Sequence, residues 1–134
     1  MPEVITTVSS IADFQTILSN NPGLVVLKLG AEWCGPCKKI EKDVEFAYSR
    51  FPVSVQPVLL DIDESFDLFA YLKKKKRVNG VPALLAWKKG NVSDIPDDVV
   101  LGADVPQVRA FFDRCFVYAN QLLVKYSGDE VEGI

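Results

Sequence analysis

Two cysteines, Cys34 and Cys37 in the segment Trp33-Cys34-Gly35-Pro36-Cys37, carry the chemistry this sequence is best equipped to do. A CxxC pair serves either as a dithiol that opens and closes a disulfide or as part of a metal site. The chain has no histidine, which removes Cys–His nucleophilic dyads and mixed Cys/His zinc sites together. The remaining cysteine, Cys115, stands alone far along the chain, so zinc would need carboxylate ligands and a cluster would need a dimer. No metal and no other cofactor is expected.

The pair sits where a buried strand gives way to a helix. Leu24 to Leu29 is apolar except for Lys28, which suits a central strand covered on both faces. From Gly35 the period becomes helical, with Ile40, Val44 and Ala47 on one side. Cys34 then falls at a helix N-terminus, where unpaired N–H groups favour a thiolate, and is expected to be the exposed nucleophile. Cys37, one turn further in, is expected to resolve the mixed disulfide.

The rest of the chain reads as a frame for that junction. Val4 to Val8 is expected to be a first strand, and Ser10 with Asp13 resembles a capping box for a helix carrying Phe14, Ile17 and Leu18. Strands are expected at Gln56 to Ile62, Pro82 to Trp87 and Val99 to Leu101, with Pro57 at a strand start or an unpaired edge. A helix is expected from Phe66 to about Lys75, and a long one from Pro106, with Val108, Phe111, Phe112, Cys115, Ala119, Leu122 and Leu123 on its apolar stripe. The expected fold is α/β, a central mixed sheet of about five strands flanked by about four helices, the C-terminal one extended. One domain, 1–126, is expected to precede a polar tail, 127–134.

The totals narrow the function. A chain of 134 residues, 49% apolar and 25% charged, can bury a core without disulfide staples. A net charge of −3 gives no electrostatic footprint for nucleic acid. Met1 to Ser10 lacks a basic start followed by an apolar stretch, and no transmembrane run appears, so a reducing, cytoplasmic setting is expected.

The segment Ala31-Glu32-Trp33-Cys34-Gly35-Pro36-Cys37-Lys38 resembles the active-site motif of the thioredoxin family. The resemblance extends to Asp61-Ile62-Asp63, Gly80-Val81-Pro82, Lys89-Gly90 and Gly102, and covers roughly residues 3 to 116. It implies a protein disulfide reductase that cycles between dithiol and disulfide and is recharged by an NADPH-dependent thioredoxin reductase or an equivalent reductant. It also implies a cis peptide at Val81-Pro82 facing the dithiol. A substrate groove lined by Trp33, Gly35, Pro36, Val81, Pro82, Gly102 and Ala103 follows from the same resemblance.

Lys28 departs from the family pattern, standing where thioredoxins usually carry a buried aspartate. A lysine among Leu24 to Leu29 is costly to bury charged, and Asp61 on the neighbouring strand is the expected partner. Two roles remain open for Lys28: it stabilises the Cys37 thiolate, or it forms a structural ion pair. Lys73-Lys74-Lys75-Lys76-Arg77 reads either as a nuclear-import or acidic-partner patch or as a solvated helix end. Asn91 to Asp98 reads as an acidic hairpin insertion, and Cys115 as a small buried hydrophobe. Phe116, Val117, Leu122, Leu123, Val124 and Tyr126 outlast a minimal core, so the chain is expected to be a monomer or a weak homodimer through its last helix. A thioredoxin-fold binding or scaffold module with incidental redox activity is the alternative function.

Overall fold

The computed structural model describes the backbone of residues 3–132 and the side-chain surroundings of residues 3–122. Strand β1 (Leu24–Gly30) is central. It pairs in parallel with β2 (Val55–Asp61) and antiparallel with β3 (Ala83–Lys88), which in turn pairs antiparallel with β4 (Asp98–Leu101). The sheet order is β2-β1-β3-β4.

The unbroken apolar run of β1 is explained by cover on both faces. Val25, Leu27 and Leu29 pack with residues of α1 (Ile11–Ser19) and α4 (Phe66–Lys74), where Trp87 meets Phe14 edge-on with ring centroids 5.1 Å apart. Leu24 and Val26 pack on the opposite side with residues of α3 (Glu41–Arg50) and α5 (Val105–Glu132). Each such Val or Leu contributes about 1.5–3 kcal/mol relative to an exposed side chain. Lys28 and Gly30 continue the α3-facing register toward the strand's C-terminal end.

Four strands form, where about five were expected, and Pro57 supplies the reason. Ile5 makes one parallel bridge to Val58, its N–H donating to the Pro57 carbonyl at 3.1 Å and its carbonyl accepting from the Leu59 N–H at 2.8 Å. Extending that ladder backward would require an N–H from Pro57, which has none. The Gln56 side-chain amide instead donates to the Glu3 carbonyl at 2.9 Å. Beyond Ile5 the chain leaves the edge, and the Val8 N–H donates to Ser65 Oγ at 3.3 Å.

The helix expected from Gly35 is two helices, α2 (Gly35–Lys39) and α3, meeting at Ile40. Ile40 has φ −104° and ψ 1°, and its fully buried side chain anchors the junction in the core. Tyr48 fastens α3 to the sheet, its hydroxyl reaching the carbonyls of Val58 at 2.8 Å and Val26 at 3.2 Å. Helix α5 continues through 127–132, read from sequence as a tail, while the surroundings of Leu123, Val124 and Tyr126 lie outside the described residues. Among the described residues, no helix is long and apolar enough to cross a membrane.

The basic run closes α4. Lys73 and Lys74 lie in its last turn, Lys76 adopts a left-handed φ of 62°, and the Arg77 N–H donates back to the Leu72 carbonyl at 2.9 Å. Arg77 also pairs with Asp94 at 2.7 Å, tying this helix end to the acidic insertion in the β3–β4 hairpin. Cys115 is buried on α5, as its place on the apolar stripe requires.

Candidate active site

The site forms at the C-terminal end of β1. Gly30 ends the strand, and the Cys34 N–H donates to the Ala31 carbonyl at 3.2 Å, folding Ala31–Trp33 into the turn that delivers Cys34 to the N-cap of α2. Pro36 suits the first helical turn, where its missing N–H leaves no bond unmade. Cys34 and Cys37 are joined in a disulfide with Cα atoms 5.3 Å apart. Cys34 Sγ also accepts the Cys37 N–H at 3.1 Å, a donor that would serve a Cys34 thiolate after reduction.

Cys34 was expected to be exposed, yet only 4% of its surface is accessible, the same fraction as for Cys37. In the closed disulfide the Cys34 side chain caps α2 and is covered on one side by its bonded partner. Trp33 is exposed at 67%, and its indole N–H donates to Asp63 Oδ2 at 2.9 Å. That bond holds the indole over the loop following β2.

The register places the other expected groove residues at the same sheet end. Ala83 pairs with Leu29 on one side and with Leu101 on the other, so Pro82 and Gly102 border the end of β1 from which the dithiol turn departs. Val81-Pro82 is cis, and the Pro82 carbonyl accepts the Gly102 N–H at 3.0 Å. Gly102 has φ 95°, a conformation that favours glycine, and this lets the chain turn out of β4 toward Ala103. Val81, Gly102 and Ala103 are partly exposed, Gly35 and Pro36 are exposed, and Pro82 is buried.

Behind the disulfide lies an open cavity of about 730 Å³, lined by Lys28, Gly30 and Cys37 and by a rim rich in carboxylates. Lys28 Nζ lies 2.6 Å, and Cys37 Sγ 3.6 Å, from the point where a β-carbon on Gly30 would stand. The two atoms therefore fall within the roughly 6 Å over which a charge alters a neighbour's ionisation. Burial pushes the Lys28 ammonium below the usual lysine range, while Glu41 and then Asp61 pull it back. The expected Lys28–Asp61 ion pair is absent among the described residues. Asp61 pairs in register with Gly30, not with Lys28, and its Oδ1 accepts the Asp63 N–H at 2.8 Å.

Two residues of this arrangement escaped the sequence reading. Gly30 is legible in retrospect as a glycine ending a buried strand, a frequent sign of close approach. Glu41 opens α3 just past the Ile40 break and lines the same cavity as Cys37, a placement its sequence position does not reveal. Among the described residues, no group of three or more His, Cys, Asp or Glu is arranged to hold a metal ion.

Residues 5–111 match the family model described as Thioredoxin. The chain belongs to the thioredoxin family. It is 33% identical to the mitochondrial thioredoxin of Bos taurus over 102 residues, which is 76% of this chain and 57% of that relative. The match thus spans little more than half of the bovine protein's length. It is 34% identical to the thioredoxin of Pseudomonas aeruginosa over 92 residues, 69% of this chain and 81% of that one. Among solved structures, the thioredoxin of Trypanosoma brucei brucei superposes with a TM-score of 0.64 at 29% identity, covering 86% of this chain and 92% of the other. Within this family frame, the disulfide occupies the strand-to-helix junction and the cis-proline the adjacent sheet end, as the sequence resemblance implied.

Proposed function

We propose that this thioredoxin-family chain is a thiol–disulfide oxidoreductase that reduces protein disulfides. The observation that carries the reading is the Cys34–Cys37 disulfide at the N-terminus of α2, with the Cys37 N–H aimed at Cys34 Sγ. In the reduced protein the Cys34 thiolate attacks one sulfur of a substrate disulfide, forming a mixed disulfide and releasing the other substrate sulfur as a thiolate. Cys37, deprotonated, then attacks Cys34 Sγ. The bond from Cys34 to substrate breaks, its electron pair leaves on the second substrate sulfur, and the Cys34–Cys37 disulfide remains. Two electrons pass to the substrate, and a dithiol reductant must return them.

Trp33, Val81, Pro82, Gly102 and Ala103 form the proposed docking face for an extended substrate segment, with Gly35 and Pro36 exposed beside the sulfurs. Their shared position at one sheet end and the partial exposure of Val81, Gly102 and Ala103 support that reading. An NADPH-dependent thioredoxin reductase, or an equivalent reductant, is the proposed electron donor, in a reducing cytoplasmic setting. The proposed state is a monomer or a weak homodimer through α5, on which Val117 is exposed.

Reduction of insulin disulfides by dithiothreitol, followed by turbidity, tests the activity. The wild-type chain is expected to accelerate precipitation and Cys34→Ser to abolish the acceleration. A silent wild type would favour a binding or scaffold module.

A further inference from the structure

The cavity behind Cys37 carries an excess of acidic side chains. Its lining includes the carboxylates of Glu32, Glu41, Glu45, Asp61 and Glu64, against the two ammonium groups of Lys28 and Lys38. Any negative charge that develops on Cys37 Sγ faces this field, since Cys37 lines the same cavity. Carboxylates alone would hold the thiol protonated and slow its attack on Cys34. Lys38 is exposed on α2, whereas Lys28 is half-buried and rises from the floor of the sheet. Gly30 leaves the space that Lys28 Nζ occupies, so the ammonium reaches the side of the cavity where the Cys37 sulfur stands.

We propose that Lys28 is a positioning residue whose ammonium, seated over Gly30, stabilises Cys37 as a thiolate for its attack on Cys34 Sγ. This rests on the reading of Cys37 as the resolving thiol. The proton lost by Cys37 leaves through the open, water-accessible cavity, and Lys28 keeps its own. Reduction converts a neutral disulfide into a dithiol that can carry charge, so the partnership is reciprocal: the ammonium favours the thiolate, and the thiolate favours the ammonium. Burial, which disfavours the Lys28 charge in the disulfide form, is then offset in the reduced form, with Glu41 and Asp61 holding the charge between turnovers.

The test reads the ionisation of Cys37 itself. In a Cys34→Ser background, thiolate absorbance is titrated with Lys28 intact and with Lys28→Met, Lys28→Gln and Lys28→Arg. Cys115 stays silent over the range, because burial pushes its thiol up to about 12. Met and Gln are expected to raise the Cys37 pKa by about one unit, and Arg to keep it near the parent value. In the protein with both cysteines, the same loss of charge is expected to slow resolution of a mixed disulfide about tenfold below that pKa. Gln keeps the comparison available should Met fail to fold, as judged by circular dichroism. An unchanged Cys37 pKa in a folded neutral variant overturns the proposal. Loss of insulin reduction with an unshifted titration would do the same while leaving the reductase reading intact. A silent wild type in the insulin assay would instead overturn the reductase reading, whatever the titration shows.

Discussion

Lys28 Nζ occupies the space above Gly30, 2.6 Å from where a β-carbon would stand. The lysine and the glycine are complementary, since the long side chain fits because the position two residues later has none. Gly30→Ala should keep the charge and move it, because the neighbour that must yield is the far end of a flexible side chain. The Cys37 sulfur, at 3.6 Å from the same point, is at ordinary contact distance. The fold should therefore lose about 1 kcal/mol, the low end of the cost of adding a methyl group to a packed site, while Cys37 titrates higher, in the same direction as with Lys28→Met. A thermal melt and a thiolate titration check both parts. A large loss of stability with unshifted Cys37 ionisation would contradict the pairing.

Tyr48 is the clearest structural bond beneath the site, its buried hydroxyl reaching the Val58 and Val26 carbonyls on neighbouring strands. Tyr48→Phe removes that donor and should cost about 1 kcal/mol. Urea unfolding should show the midpoint fall with the slope unchanged.

Lys76 pays for a left-handed backbone at the end of α4 with φ 62°. Lys76→Gly should stabilise the chain by about 0.5–1 kcal/mol, because the strain relieved exceeds the entropy added to the unfolded chain. A lower melting temperature for this variant would show that the lysine side chain outweighs its backbone strain.

Cys115 links stability to alkaline pH. Burial is the largest cause of its rise from 9.0 to about 12, with Asp98 adding to it and Arg114 opposing it. The folded chain holds this proton more tightly than the unfolded one. The stabilisation is therefore fully present below pH 9 and is lost as pH climbs toward about 12. Up to about 1.4 kcal/mol per pH unit is at stake within that window. Cys115→Ala should flatten this part of the stability–pH curve, as equilibrium unfolding at stepped pH would reveal.

The site was more legible in the sequence than its surroundings. Cysteine spacing at a strand-to-helix junction, the proline before the third sheet strand and the odd lysine in an apolar strand are local signals, and the structure places each of them at one end of the sheet. What escaped reading depended on partners remote in sequence. The first strand shrank to a bridge because Pro57, across the sheet edge, withholds a donor. The Asp61 carboxylate turned to the Asp63 N–H and not to Lys28, a choice that strand spacing does not reveal. The break at Ile40 carries no proline or glycine, and only the depth of that side chain in the core marks it. The low exposure of Cys34 likewise follows from closure of the disulfide and from its capping role.

The central claim is that Cys34 attacks and Cys37 resolves, and trapping the mixed disulfide tests it most directly. A Cys37→Ser variant, reduced and mixed with a disulfide-bonded peptide substrate, should accumulate a covalent adduct that mass spectrometry maps to Cys34. Cys34→Ser should accumulate none under the same conditions. An adduct mapped to Cys115, or no adduct with Cys37→Ser, would contradict the account.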